Sequence, residues 1–221
     1  MAIKVISAPG PVCFPLIASK NDEFEIGFAK EGDASIVLDS SVGLIKRGIP
    51  IDLVLLSGLS AVSPDFGKKT ALWRKGSAND YIAQAIIRRE ELQTQLIYVE
   101  NQQEIQNLIA RGEADSAILP VTSAQKGVLL EERASRAGLY VPGSCAAKVP
   151  GEYLDQFVEA YNEGIKRFHE DPESTAKYVN SVLPNKFPDG FIHGIILKMK
   201  PVLEKPKDYS DLRAEILNGK F

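Results

Sequence analysis

Short apolar segments alternate with amphipathic ones in the first part of the chain. Each apolar segment has the length of a buried strand and stops at residues that favour turns or helix caps, such as Pro9-Gly10-Pro11 and Asp39-Ser40-Ser41. The predicted strands are residues 3–8, 24–29, 35–38 and 51–56, with helices that end near Lys20 and Gly48. This alternation predicts a parallel α/β sheet rather than a sandwich or a bundle.

The same pattern starts again at Lys69. Its predicted strands are residues 70–74, 95–99 and 117–119, and its predicted helices are residues 81–92, 101–111 and a segment from Ser123 onward. Residues 112–123 also echo residues 32–41, since both run from a glycine and an acidic residue through a short strand to hydroxyl residues. The echo indicates one βαβ-type unit in each half, although the chance likeness of two ordinary α/β units stays an alternative.

After Cys145 the pattern becomes helical. Residues 152–169 carry aromatic residues at helical spacing, a stripe that favours core packing over ligand stacking. A second helix is predicted at 174–183, and two more in residues 187–221, around Pro201 and Pro206. We therefore predict two lobes, the first made of residues 1–68 and 146–221 and the second of residues 69–145.

Four predicted loops place small or hydroxylated residues where a strand ends and a helix begins. They are residues 8–11, 39–41, 76–79 and 120–123. Ligands of open α/β sheets bind beyond the carboxyl ends of strands, where helix N-termini present N–H groups and partial positive charge. A single such loop is typical of an ordinary helix cap. Four of them, two per lobe, predict a cleft for a small anionic or polar ligand.

Residues 57–63 follow the last strand of the first half and have the composition of a hinge, with an ordinary surface loop as the alternative. Trp73, the only tryptophan, could form an apolar wall of the cleft, but core packing is the favoured interpretation.

The composition narrows the function classes. A net charge of -3 provides no basic field for a phosphate backbone, so we expect no nucleic-acid partner. No stretch is long and apolar enough to span a bilayer, so membrane insertion is not expected. Residues 1–9 carry no recognisable signal segment, which predicts a cytoplasmic protein, or an extracytoplasmic one if a leader is missing.

Little in the sequence indicates catalysis. Cys13 and Cys145 lack the spacing of a disulfide framework or zinc site, and are predicted to be buried apolar residues. His169 and His193 stand away from the predicted strand ends, and no nucleotide-binding or catalytic-triad motif accompanies them. We therefore expect no catalytic residue, no metal and no cofactor.

Several short motifs resemble those of a known family. They are Pro9-Gly10-Pro11, Gly32-Asp33-Ala34, Arg47-Gly48-Ile49-Pro50, Lys75-Gly76-Ser77-Ala78, residues 112–120 and the helix pair at 152–183. In order and spacing they resemble the type II periplasmic-binding-protein group, especially the solute-binding proteins of nitrate, sulfonate and thiamine-precursor transporters and their soluble relatives. The resemblance implies a two-lobed α/β fold with a ligand cleft between the lobes.

The resemblance also implies which residues would contact a ligand. Together with Ser57 of the predicted hinge, the candidates are Gly10, Pro11, Ser40, Ser41, Ser57, Gly76, Ser77, Ala78 and Thr122. The implied function is small-molecule binding related to ABC-transporter solute-binding proteins, with a transporter permease as a possible partner if the protein is exported. The alternatives are a cytosolic enzyme on the same fold, as in menaquinone or thiamine-precursor biosynthesis, and a regulatory effector domain.

Overall fold

Strands and helices alternate through the residues that the computed structural model describes, 2–29, 31–124 and 126–218. The strands are β1 (Ile3–Ser7), β2 (Phe24–Gly27), β3 (Ile36–Ser40), β4 (Leu53–Ser57), β5 (Ser60–Ser63), β6 (Lys69–Trp73), β7 (Gln95–Val99), β8 (Ser116–Pro120), β9 (Val128–Leu129), β10 (Cys145–Lys148) and β11 (Lys200–Glu204). The helices are α1 (Phe14–Ser19), α2 (Ser41–Lys46), α3 (Ala78–Arg89), α4 (Gln102–Ala110), α5 (Leu130–Arg136), α6 (Leu154–Glu170), α7 (Pro172–Val182), α8 (Phe191–Lys198) and α9 (Ser210–Asn218). The predicted α/β class is confirmed.

The first sheet has six strands in the order β11-β4-β10-β3-β1-β2. Strand β1 pairs in parallel with β2 and β3, as the sequence pattern predicts. Strand β10 is antiparallel to both β3 and β4, and β11 is antiparallel to β4. The sheet is therefore mixed, and the prediction of a parallel sheet holds only for the first three strands.

The second sheet has five strands in the order β7-β6-β8-β5-β9. Its parallel strands β6, β7 and β8 repeat the arrangement of β1, β2 and β3, and antiparallel β5 adds next to β8 as β10 adds next to β3. Strands β3 and β8 are thus equivalent, and they are the strands of the echoing segments 32–41 and 112–123. The echo reflects a shared strand arrangement of the two lobes.

The chain leaves the first sheet after β4 and returns to it at β10. Strand β5 pairs in the second sheet, although the predicted first lobe extends to residue 68. The predicted helix from Ser123 is wrong, because a turn and the short strand β9 precede α5. The two helices predicted in residues 187–221 are present as α8 and α9, but the stretch at Pro201 between them is a strand that was not predicted. Residues 200–204 form an edge strand, a position where the missing N–H of a proline is tolerated.

Helix α6 packs its aromatic stripe against α1 and the first sheet. Phe157, Tyr161 and Phe168 are buried, which confirms the predicted core role of the stripe. The Tyr161 hydroxyl donates to the Val12 carbonyl at 3.0 Å, so its polar end is paired. Gly164 lets the two helices approach, because a Cβ there would lie 1.7 Å from the Pro15 carbonyl oxygen.

A second apolar cluster joins the two lobes. It contains Leu44 of α2, Ile82 of α3 and Leu212 of α9, so the last helix packs against one helix from each lobe. Across the described residues, none of the helices has both the length and the hydropathy needed to cross a membrane.

Candidate functional site

Two crossovers connect the lobes and lie side by side. The first is residues 57–60, between β4 and β5, and the second is residues 139–144, between α5 and β10. The Leu59 N–H donates to the Ser144 hydroxyl at 3.2 Å, and the Ser41 N–H donates to the Ser144 carbonyl at 3.3 Å. Ser144 therefore ties both crossovers to the start of α2, at the place where the lobes would rotate against each other.

Glu131 extends from the start of α5 to the first crossover. Its Oε1 accepts hydrogen bonds from the Gly58 N–H, at 3.1 Å, and from the Ser144 hydroxyl. Gly58 has a φ of +75°, a conformation that favours glycine. Within the described residues, the Oε2 atom of Glu131 is buried and has no hydrogen-bond partner. A buried acceptor in this state is unfavourable, so the carboxylate has capacity for a further donor.

A cavity of about 30 Å³ lies next to this carboxylate, between the lobes. Its wall combines apolar and polar residues from both lobes and the second crossover: Val42, Ser60, Ala78, Asn79, Ile82, Leu130, Glu131, Gly143 and Ser144. The Asn79 side-chain amide donates to the Ser60 hydroxyl at 3.0 Å, and both residues line the same cavity as Glu131. The cavity has room for about one water-sized group.

The candidate residues of the first lobe divide by role. The Ser40 hydroxyl caps α2 by accepting from the Gly43 N–H at 3.0 Å. The Ser41 hydroxyl is 1% exposed and lies 2.7 and 2.9 Å from the Pro142 and Gly143 carbonyl oxygens. The Ser40 hydroxyl therefore stabilises the start of α2, and the Ser41 hydroxyl connects α2 to the second crossover.

Ser57 ends β4 at the start of the first crossover, opposite Lys200 of β11. Gly10 and Pro11 lie at a different part of the sheet edge, after β1, where the Gly10 carbonyl accepts from the Cys13 N–H at 3.1 Å. Helix α8 packs against the Pro11–Cys13 turn.

Three candidates of the second lobe lie in the turn that starts α3. The Ser77 hydroxyl accepts from the Asp80 N–H at 3.3 Å, and the Gly76 N–H donates to Asp80 Oδ2 at 2.7 Å. Gly76 has a φ of +76°, which makes glycine the favoured residue of this turn. Ala78 is the predicted site residue that lines the interlobe cavity.

Asp80 stabilises the turn at Gly76 and Ser77 through its side chain and its N–H. The carboxylate is buried, and its Oδ1 accepts from Gln84 Nε2 at 2.8 Å and from the Tyr98 hydroxyl at 2.9 Å. Burial and the neighbouring Asp80 carboxylate both raise the pKa of the Tyr98 hydroxyl, which stays protonated as the donor. The start of α3, and with it Ala78 and Asn79, is held by a paired buried network.

Thr122 follows β8, directly after Val121, whose N–H donates to the Leu59 carbonyl of the first crossover at 2.9 Å. A Cβ on Gly194 of α8 would be 3.6 Å from the Thr122 methyl carbon, and Lys198 Nζ donates to the Val121 carbonyl at 3.2 Å. Helix α8 therefore contacts both the turn after β1 and the turn after β8. Of the predicted site residues, Ala78 lines the interlobe cavity, whereas Gly10, Pro11 and Thr122 belong to the turns next to α8 and do not line it.

Sequence reasoning missed Glu131 and Ser144. Glu131 is followed by Glu132 at the start of a helix, where acidic residues are ordinary partners of the helix dipole. Its hydrogen bond to Gly58 spans 73 residues of sequence, so no local pattern indicates it. Ser60 and Asn79 did fall within the predicted hinge and the predicted loop 76–79.

Trp73 does not pack in the core as the favoured interpretation expected. It is 41% exposed, its Nε1–H donates to the Glu100 carbonyl at 3.0 Å, and the Arg74 guanidinium lies 5.0 Å from its ring. A larger groove of about 770 Å³ lies on the outer surface along α6, lined by Ser19, Asn162 and Arg167 among others. That groove is remote from the strand ends at which α/β folds bind ligands.

Both thiols are buried, as predicted. Burial raises the pKa of the Cys145 thiol, and the nearby carboxylates of Asp39 and Glu131 raise it further. Cys145 begins β10, directly after Ser144, so a protonated thiol lies next to the second crossover.

Comparison with known structures supports the fold. A "putative nitrate transport protein" from Thermoplasma volcanium superimposes with a TM-score of 0.76 at 21% identity, covering 98% of this chain and 94% of that one. An ABC transporter protein from Parabacteroides distasonis gives a TM-score of 0.63 at 15% identity, covering 98% and 90%. The two-lobed fold resembling that of periplasmic binding proteins is thereby confirmed. No curated protein sequence matches the chain.

The sequence itself matches one family over most of its length. The match covers residues 1–201, and the family is described as "Protein of unknown function (DUF3834)". The chain belongs to the DUF3834 family.

Proposed function

We propose that this protein binds a small polar solute between its lobes and is related in function to the solute-binding proteins of ABC transporters. One observation carries the proposal: polar side chains from four separate chain segments meet at the interlobe cavity. They are Ser60 of the first crossover, Asn79 of α3, Glu131 of α5 and Ser144 of the second crossover. Such convergence of a few polar groups among apolar ones is typical of ligand sites.

The cavity is too small for a whole solute, so binding requires the lobes to move. About 30 Å³ admits one small group, so a whole solute requires the lobes to separate about the two crossovers and close again around it. Residues at the margins of the cleft would then complete the site. For this role we propose Ser40, Ser41, Ser57, Gly76 and Ser77, next to Ala78, which lines the cavity, with Gly10, Pro11 and Thr122 contributing once α8 has moved.

The names of the similar structures support the class of function. The Thermoplasma volcanium protein is named for nitrate transport and the Parabacteroides distasonis protein for ABC transport. At these identities the comparison bears on the fold, and the step from the fold to solute binding rests on the cavity.

A thermal-shift screen tests the proposal. The panel consists of nitrate, sulfonates, thiamine precursors, menaquinone intermediates, amines and sugars. A true ligand at about 100 times its Kd adds about 2.7 kcal/mol to the free energy of unfolding. In a chain of this size we expect that gain to raise the melting temperature by about 5–10 °C.

Two asparagine variants locate the binding. Asn79→Ala removes an amide from the cavity wall, whereas Asn162→Ala removes one from the outer groove along α6. We expect Asn79→Ala to weaken the binding of any hit and Asn162→Ala to leave it unchanged. A panel without any saturable hit, or a hit that responds only to Asn162→Ala, would overturn the proposal.

A further inference from the structure

Within the cleft, the carboxylate of Glu131 defines the kind of group that fits next to it. Its two hydrogen-bonded partners, the Gly58 N–H and the Ser144 hydroxyl, are neutral and share Oε1. Neither balances the negative charge of the carboxylate. The buried Oε2 is left as an acceptor without a partner in the part of the chain that the structure describes.

The other polar groups of the cavity complement a donor. The hydroxyl oxygens of Ser60 and Ser144 can accept hydrogen bonds. The side-chain amide of Asn79 also has an acceptor oxygen, while its NH₂ group donates to Ser60. A group with several N–H donors could therefore find acceptors on more than one side. An anionic group in the same place would meet the Glu131 carboxylate at close range, which is unfavourable.

The dimensions agree with a small cationic head group. About 30 Å³ is the volume of one water-sized group, and a primary ammonium group is of similar size. Apolar side chains of Val42, Ile82 and Leu130 form the rest of the wall, so a carbon attached to the nitrogen would find apolar contacts. A low-polarity wall also strengthens the attraction between the opposite charges.

From these observations we infer that the cavity binds a protonated primary amino group of the solute, with Glu131 Oε2 as its principal acceptor. The inference rests on the proposed function and specifies the class of ligand: a small primary amine, either cationic or zwitterionic. The loop pattern in the sequence predicted an anionic or polar ligand. The Glu131 carboxylate, which no local sequence pattern marks, favours a cationic group instead.

Methylammonium chloride is the probe, since it is the smallest primary amine with an attached carbon. Tetramethylammonium chloride at equal ionic strength has the same charge but no N–H donor and a larger volume. Sodium nitrate and sodium methanesulfonate represent the anionic alternative. We expect a saturable rise in melting temperature and heat of binding with methylammonium, and no saturable effect with tetramethylammonium.

Two neighbouring glutamates provide the test variant and its control. Glu131→Gln keeps one oxygen for the Gly58 N–H but replaces the other oxygen with an NH₂ group. Glu132→Gln changes the next residue, which is exposed and lies 3.6 Å from Lys200 Nζ. Because hydrogen bonds to charged groups are strong, we expect Glu131→Gln to weaken methylammonium binding by at least about tenfold and Glu132→Gln to change it less than about twofold.

A second variant guards against a folding defect in Glu131→Gln. Val42→Ile adds one methyl group to the cavity wall and leaves the carboxylate in place. We expect it to weaken methylammonium binding while the unliganded protein keeps its melting temperature.

The outcomes separate the two proposals. If nitrate or methanesulfonate binds in the cleft and methylammonium does not, the amine inference fails while solute binding stands. Methylammonium binding that is equal in the wild type, Glu131→Gln and Val42→Ile also overturns the inference, because Glu131 would then have only a structural role at the hinge. Failure of every compound in the wider panel overturns both proposals.

Discussion

The ammonium group of Lys46 in the first lobe lies 4.4 Å from the centre of the Tyr81 ring in the second lobe. The same nitrogen donates to the Gly76 carbonyl at 3.4 Å. These contacts join the end of α2 to the start of α3, on the helices that flank the interlobe cavity. The contacts of Lys46 therefore connect the two lobes, in addition to the apolar cluster that the lobes share.

We predict a measurable coupling between Lys46 and Tyr81. In a double-mutant cycle with Lys46→Met and Tyr81→Leu, the coupling should be about 0.5–1 kcal/mol in the free energy of unfolding, as for other exposed cation–π pairs. Urea denaturation provides the values.

A matched control exists inside the first lobe. Lys20 Nζ lies 4.4 Å from the Tyr178 ring, a pair that does not link the lobes. Hydrogen exchange of the crossovers at 57–60 and 139–144 should increase in Lys46→Met and stay unchanged in Lys20→Met. Equal exchange in both variants would contradict a role for Lys46 in holding the lobes together.

Helix α9 should stabilise the arrangement of the lobes through one buried leucine. Leu212 is fully buried in the cluster shared by α2 and α3, whereas Leu217 of the same helix is 50% exposed. We predict that Leu212→Ala lowers the free energy of unfolding by about 2–4 kcal/mol, because it leaves a cavity in the core. Leu217→Ala should change it by less than about 0.5 kcal/mol. Chemical denaturation of the two variants checks this, and a similar loss in both would show that α9 is not packed as described.

Arg133 should make stability depend on acidic pH. This residue of α5 is 7% exposed and donates to both oxygens of Glu90, at 2.7 and 2.5 Å, and to Asp65 at 2.8 Å. The hydrogen bonds from Arg133 lower the pKa of the Glu90 carboxyl below its ordinary value of 4.5. Glu90 therefore contributes stability above that value, and the contribution is lost as pH falls through the lowered pKa of the folded protein.

We predict that Arg133→Met lowers the free energy of unfolding by about 1.5–3 kcal/mol at pH 7, because two partly exposed carboxylates lose their hydrogen-bonded partner. The difference from the wild type should shrink as pH falls below 4.5 and through the lowered pKa of the Glu90 carboxyl. Arg136→Met, at an exposed position of the same helix, is the control and should stay close to the wild type at every pH. Urea denaturation at several pH values decides, and a difference that does not vary with pH would contradict the assignment.

Gly164 should not tolerate a side chain. An added Cβ would lie 1.7 Å from the Pro15 carbonyl oxygen, which belongs to the backbone of α1 and cannot rotate away. We predict that Gly164→Ala destabilises the protein by about 3 kcal/mol, despite the better helix propensity of alanine. Gly151→Ala is the control, because nothing lies within 4 Å of its added Cβ. Thermal unfolding should separate the two variants clearly, and equal melting temperatures would refute this packing.

Local signals predicted most of the strands and helices. The helix that starts after Asn101 has a side-chain cap to the Glu104 N–H at 2.9 Å, and α3 starts after the capping hydroxyl of Ser77. Such caps lie within three residues of the groups they bind, so the sequence displays both partners together. The glycines and hydroxyls around β3 and β8 likewise mark strand ends locally.

The features that the sequence did not predict depend on residues far away in the chain. Strand β11 contains Pro201 and exists because β4 offers its edge, more than 140 residues earlier in the chain. Glu131 becomes a site residue only through Gly58 and Ser144, which lie in the two crossovers. Neither the pairing nor the cavity is encoded in a short pattern, so the sequence indicated the cleft but not its carboxylate.

The position of β10 between β3 and β4 has a consequence for synthesis on the ribosome. All strands of the second sheet lie within residues 60–129, whereas the first sheet lacks an interior strand until residues 145–148 have been made. We therefore expect the second lobe to complete its sheet first. The first lobe, although its synthesis begins earlier, still lacks the central strand β10 at that time. The order of folding would then reverse the usual order in which the N-terminal unit folds first.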